Sequence, residues 1–174
     1  SPFYLGPIKL YDNYFAKNVE NAYQRTKVYK EFVGNDGAPN EEYWHWATNG
    51  WNDAKAVRYP MGKGAKPEYS WWDGHKYGYV DARLKIYFPL YRDAVKHTEA
   101  FEILKEVSKK ENIALWDFDG YDYEKMGMTL TDVLRNDKRS MGHAFVLKAM
   151  LLYGDNVTPQ DISTLDNPID QEFE

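Results

Sequence analysis

The sequence predicts an α+β fold, mainly helical, with a few short strands in a single domain. Three observations point there. Helix-start signals recur along the chain at Asn18, Asn40 and Thr98, each followed by apolar residues at helical spacing. Strand-like runs are short and few, confined to Phe3–Tyr11 and Ile113–Trp116. At 174 residues the chain suits one domain with a proper core.

Phe3 to Tyr11 reads as one or two short strands broken at Gly6-Pro7, and Asp12-Asn13 as a turn. The pattern then predicts a helix from about Val19 to Val33, capped by Asn18 with Glu20 in its first turn. Glu20, Gln24 and Lys27 fall at i, i+4 and i+7, which places them on one stripe of that helix. Val19, Ala22, Tyr23, Thr26, Tyr29 and Val33 fall opposite, as its core side. The spacing alone fits a solvated face as well as a site.

Gly34 to Pro39 is turn chemistry, and Asn40 caps a second helix that carries Tyr43, Trp44, Trp46 and Ala47 and stops near Asn49-Gly50. Trp51 to Gly78 reads as one long irregular loop, rich in Gly, Pro, basic and aromatic residues, ordered over a site. Gly62-Lys63-Gly64 lacks the ending of a nucleotide-binding P-loop, but its backbone fits an anion nest.

Tyr79 to His97 is a helical pattern that Pro89 should kink. Thr98 caps the next helix, with Ala100, Phe101, Ile103, Leu104 and Val107 as its apolar side. Ile113–Trp116 reads as a short buried strand and leads directly into Asp117-Phe118-Asp119-Gly120-Tyr121-Asp122. These carboxylates suit either acid–base work or a plain Asp/Gly turn. Thr129 or Thr131 caps a short helix. Met141 to Leu152 is the most apolar helix and the expected centre of the core. The single domain is expected to span 1–154. Residues 155–174 form an acidic tail expected to be loosely ordered, although Thr158-Pro159-Gln160-Asp161 has the form of a capped helix start.

Composition narrows the function classes. There is no Cys, which excludes a disulfide framework, a thiolate metal site and a Cys nucleophile. With 6 Trp, 15 Tyr and 8 Phe, the chain carries more aromatic surface than a core of this size needs. The net charge of −5 argues against charge-driven nucleic-acid binding by the molecule as a whole. From Ala54 to Lys85, however, Lys55, Arg58, Lys63, Lys66, Lys76, Arg83 and Lys85 outweigh Glu68, Asp73 and Asp81. That stretch suits phosphates. No apolar run approaches the length of a membrane span and no secretory leader is read, so no membrane partner and a cytoplasmic location are expected. No metal and no cofactor is called for.

Glu20-x-x-x-Gln24-x-x-Lys27 after a short strand resembles the signature helix of the NADAR superfamily, whose name refers to NAD and ADP-ribose. The order of weaker motifs is similar from about Phe3 to Leu152. Pro7-Ile8, Trp72, the Tyr87-Phe88 region, Asp119 to Asp122 and Gly142 stand where that pattern expects them. Two motifs depart. Gly142-His143-Ala144-Phe145-Val146-Leu147 has neither the family's Asn nor its second Gly, and Asp117 to Asp122 replaces a Trp-Gly-x-Gly turn.

The resemblance implies an N-glycosidase that hydrolyses or exchanges a ribosyl–base bond. Its substrate would be an ADP-ribose-like nucleotide, or a modified or ADP-ribosylated base in nucleic acid. Glu20 would stabilise positive charge on the sugar or activate water, with Asp119 or Asp122 as the second carboxylate. Lys27 or His143 would serve the leaving base. Gln24 would orient sugar hydroxyls, Trp71 and Trp72 would stack on the base, and Arg58, Lys63 and Lys66 would meet phosphates. Gly142 would open the last helix beside the substrate. Two alternatives stay open: a non-catalytic nucleotide or modified-nucleic-acid binder, and an aromatic-rich protein-interaction domain.

Overall fold

The computed structural model describes residues 1–166. The fold is α+β, with helices predominating and two small antiparallel sheets. The chain forms two compact units, Ser1–Ala82 and Arg83 onward.

In the first unit β1 (Ile8–Lys9) pairs with β2 (Phe15–Ala16), Ile8 opposite Ala16 and Lys9 opposite Phe15. The turn between them holds Asp12 at a positive φ of 49°, a conformation Asp tolerates. Helix α1 follows as Val19–Gln24, capped by Asn18, whose side chain accepts from the Asn21 N–H at 2.8 Å.

The helix expected to run to Val33 therefore stops after 6 residues. The reason is local and tertiary together. The Thr26 hydroxyl and N–H both bond to the Tyr23 carbonyl, closing a tight turn where the helix would continue. The Thr26 carbonyl then accepts from Trp71 N–H at 2.8 Å, which draws the chain into a sheet. Lys27–Val28 forms β3, paired antiparallel with β4 (Tyr69–Trp72), so Lys27 stands on a strand and not on the helix.

A short 3-10 turn over Lys30–Phe32 leads to α2 (Glu41–Trp51), capped by the Asn40 side chain. Tyr43, Ala47 and Trp51 are its buried residues of largest consequence, and the Trp51 indole N–H donates to the Ala22 carbonyl of α1. Gly50 is required because the Arg25 side chain lies where a Cβ would stand. The Arg25 guanidinium stacks on Trp46 at 4.4 Å and donates to its carbonyl.

The expected long loop is irregular only as far as Glu68. Beyond it β4 and β5 (His75–Tyr77) form a hairpin closed by Asp73-Gly74 at φ 47° and 81°. An Asp-Gly pair between aromatic runs favours that turn, because both central residues need positive φ. Helix α3 (Tyr79–Ala82) ends the unit.

The second unit opens on a wide π-helical turn, Arg83–Tyr87, followed by α4 (Phe88–Val95). The expected kink at Pro89 is realised upstream. Pro89 lacks the N–H that would bond to Lys85, and the wide turn precedes it. Arg83 is buried and donates to the carbonyls of Val133, Leu134, Asn136 and Arg139 at 2.9–3.3 Å. It thereby caps the C-terminus of α6 (Leu130–Arg135), whose N-terminus is closed by a Thr129/Asp132 capping box.

Helix α5 (Glu99–Lys110) is capped by Thr98 as expected, but of its apolar side only Phe101 is buried, and Ile103 and Val107 are exposed. Helix α7 (His143–Tyr153) is the core helix, burying Phe145, Val146, Ala149 and Met150, and it packs on α4.

Two further expectations are corrected. Among the described residues Ile113–Trp116 pairs with no other segment and is not a strand, and Trp116 lies open to solvent. The early part of the tail is ordered: α8 (Pro159–Leu165) has its own capping box and buries Ile162. Asp166 accepts from the Thr131 N–H and hydroxyl. The rest of the expected loose tail, 167–174, lies outside the described residues.

Candidate functional site

The first unit brings together four of the residues singled out from sequence. Glu20 is buried on α1, and the Gln24 amide, one turn on, donates to its Oε1 at 3.3 Å. The strand β3 brings Lys27 up beside them, with its ammonium 5.3 Å from the centre of the Tyr23 ring. Burial pushes the Lys27 ammonium below its ordinary pKa. The Glu20 carboxylate resists that shift and the Arg58 guanidinium adds to it. One amine thus feels a carboxylate and a guanidinium together.

Arg58 reaches this place through a residue that sequence reasoning passed over. Asn21 is buried on α1 next to Glu20. Its amide donates to the carbonyls of Asp53 and Lys55 at 3.2 and 2.8 Å, and its oxygen accepts from Val57 N–H at 2.8 Å. Asn18 adds a bond to the Ala54 carbonyl. These bonds fix 53–57 against α1 and deliver Arg58 beside Lys27. A buried Asn in the first turn of a helix, facing a long loop, was the available signal.

Lys63 and Lys66 stand exposed farther along the same loop, which turns at Gly62 and Gly64, both at positive φ. On β4 successive side chains point to opposite faces, so Trp71 and Trp72 cannot both stack on one base. Trp72 packs edge-on against Tyr11 at 4.9 Å, within an aromatic cluster that also includes Tyr14, Trp44 and Trp51.

The second unit gathers a different group. Asp119 is half-buried and Asp122 is exposed, pairing with Lys125 at 3.3 Å. The buried carboxylate of this turn is Asp117. Its Oδ2 accepts from the Ala144 N–H and its Oδ1 from the Asp119 N–H, each at 2.8 Å. Gly142 is the N-cap of α7 and has no side chain to offer, so Asp117 caps the helix from outside. A Cβ at Gly142 would collide with that carboxylate.

His143, the first residue of α7, has Nδ1 3.8 Å from Asp117 Oδ2 and its ring against Tyr91. Burial lowers its pKa, opposed by Asp117 and Asp119. The signal for Asp117 was present: a helix with glycine at its N-cap needs an acceptor from elsewhere.

Among the described residues no group of three or more His, Asp or Glu is arranged to hold a metal ion, and no helix is long and apolar enough to cross a membrane. No protein-family model matches the chain, and neither does any curated protein or solved structure.

Proposed function

We propose that the protein is an N-glycosidase of NADAR-like type, which hydrolyses or exchanges a ribosyl–base bond in an ADP-ribose-like nucleotide or in a modified nucleic-acid base. Glu20 carries the reading: it is a carboxylate buried on a helix, held by Gln24 and close enough to Lys27 to act on its charge. Cleaving an N-glycosidic bond builds positive charge on the sugar, and a buried carboxylate stabilises that charge or draws a proton from the attacking water. Water adds to the anomeric carbon as the base departs with the bonding electrons. The base then needs a proton. An ammonium whose pKa is lowered by burial gives one up more readily, and Lys27 is suited to that step. Arg58 offers bidentate contact to phosphate, with Lys63 and Lys66 farther out on the same loop. On this reading the protein works in the cytoplasm, where nucleotide substrates are made.

The test is incubation with NAD, ADP-ribose, free nucleotides and short single-stranded DNA, each followed by chromatography for released base. Release that is lost in Glu20→Gln, with binding retained, supports the reading. A ligand-induced rise in melting temperature without release points to a binding module, and neither response sinks both.

A further inference from the structure

The register of the three-stranded sheet in the first unit sets one row of side chains on a single face. Lys27 of β3 stands opposite Ser70 of β4, and Ser70 stands opposite Tyr77 of β5. Side chains directly opposite across antiparallel strands share a face, with their Cβ atoms about 5 Å apart. An ammonium, an aliphatic hydroxyl and a phenol therefore line up side by side. Trp72 and His75, opposite one another two residues along, stand on the same face. Lys27 reaches Tyr23, Glu20 and Arg58 from this face. The other face is taken up by the chain itself: Val28 is fully buried there, and the Tyr69 hydroxyl donates to the Gly37 carbonyl at 2.7 Å.

Ser70 lies at the centre of the row and is only 5% exposed, yet its hydroxyl has no hydrogen-bond partner among the described residues. Buried hydroxyls are ordinarily paired. Among the described residues the unpartnered side-chain atoms sealed from solvent are the Tyr11 hydroxyl and Arg25 Nε, so the Ser70 oxygen keeps an opening onto its face. Tyr77 is half-buried on the edge strand, its ring beside that of His75, and its hydroxyl likewise has no hydrogen-bond partner among the described residues. Two hydroxyls left over by the fold, in line with Lys27, are groups that a bound polar ligand can use.

Resting on the reading of Lys27 as the group that serves the leaving base, we propose that Ser70 and Tyr77 seat that base on the sheet face and select it by its edge. A base that takes a proton from Lys27 must lie against it. Lys27 is one end of the row, so the ring extends over Ser70 toward Tyr77. Each hydroxyl both donates and accepts, which matches the mixed donors and acceptors along the edge of a planar base. The row crosses three strands, roughly 10 Å, which is room for one heterocycle laid across it. Trp72 and His75 border the seat along one side. The bond to be cut then lies at the Lys27 end, on the side of Glu20.

The test is an NMR titration of the whole isotope-labelled chain with the free bases nicotinamide, adenine, cytosine and uracil, at the millimolar concentrations where ligands of this size bind. At least one base is expected to move the Lys27, Ser70 and Tyr77 amides saturably, while the exposed Glu41 and Glu42 amides stay in place. Ser70→Ala and Tyr77→Phe are each expected to weaken that base about three- to ten-fold, the worth of one neutral hydrogen bond. Ser70→Ala is also expected to narrow the preference among the four bases. Neither change removes a side-chain hydrogen bond found among the described residues, and the wild-type titration decides the matter if a variant fails to fold. If no base moves the row, or if both variants leave the affinity unchanged, the seat is overturned. Chromatography for released base separates this outcome from the fate of the glycosidase reading. Release by a protein whose row no base touches overturns the seat and keeps the glycosidase. A base bound at the row, with no release from any substrate, keeps the seat and overturns the glycosidase.

Discussion

Gly142 and Asp117 should behave as one element when perturbed. In Asp117→Ala the α7 helix loses the side-chain cap that Asp117 gives it, and the buried Ala144 N–H loses the oxygen it meets at 2.8 Å. Orphaning that buried donor, which is itself the loss of the cap, costs about 1–3 kcal/mol, and the Asp119 N–H loses a further bond of about 1 kcal/mol. We therefore expect about 3 kcal/mol in all. For a chain of this size that is a fall in melting temperature of roughly 6–12 °C. Gly142→Ala should cost nearly as much for a different reason. Its φ of −85° suits alanine, but the new methyl occupies the place of the carboxylate and displaces it from Ala144.

The decisive measurement is the double variant. With Asp117 already shortened, the methyl has room, and Gly142→Ala should then cost only the modest preference of an N-cap for glycine over alanine, under about 1 kcal/mol. Urea unfolding of the four proteins should give a coupling of about 2 kcal/mol. If the two costs simply add, the carboxylate is not what excludes a side chain at Gly142, and the reasoning fails.

Three further outcomes follow from the same structure. Burial holds the folded-state pKa of His143 below its unfolded value, so the unfolded chain binds the proton more readily. This contribution is fully present above the unfolded histidine pKa and is lost as pH falls through it toward the folded value. The drop in melting temperature between pH 7.5 and pH 5 should accordingly be smaller in His143→Gln than in the wild type. Arg83→Met strips the C-terminus of α6 of all four donated bonds and should cost about 3 kcal/mol or more in chemical unfolding. Arg83→Lys should recover little of it, because an ammonium cannot fork to carbonyls spread over Val133 to Arg139. Asn21→Ala should release the loop over 53–57. Hydrogen exchange at the Val57 amide should quicken, with a stability loss of about 1–3 kcal/mol, while amides of α5 keep their protection.

Much of the local structure was legible in the residues themselves. Asn18, Asn40, Thr98 and Thr158 cap helices where their side chains and the following acids say they should, because a cap is settled within one turn of chain. The apolar run from Met141 to Leu152 identified the core helix for a similar reason: a segment this rich in apolar residues has to bury most of its surface. The Asp73-Gly74 hairpin was equally local, but aromatic and basic neighbours gave it the look of a loop.

Tertiary structure decided the rest. The periodicity of Glu20, Gln24 and Lys27 is helical, yet Trp71 and Ser70 offered the chain past Tyr23 a strand partner, and helical propensity is too weak to resist one. Ile113–Trp116 shows the converse, a strand by composition that finds no partner among the described residues. Asn21, Arg83 and Asp117 take their roles from main-chain groups far along the chain, which they satisfy and which only the folded chain brings to them. The sequence by itself thus determined where helices begin and which residue types are available for chemistry. Which carboxylate is buried, which amine is desolvated and which loop is held beside them depended on hydrogen bonds between distant segments, which no local pattern encodes.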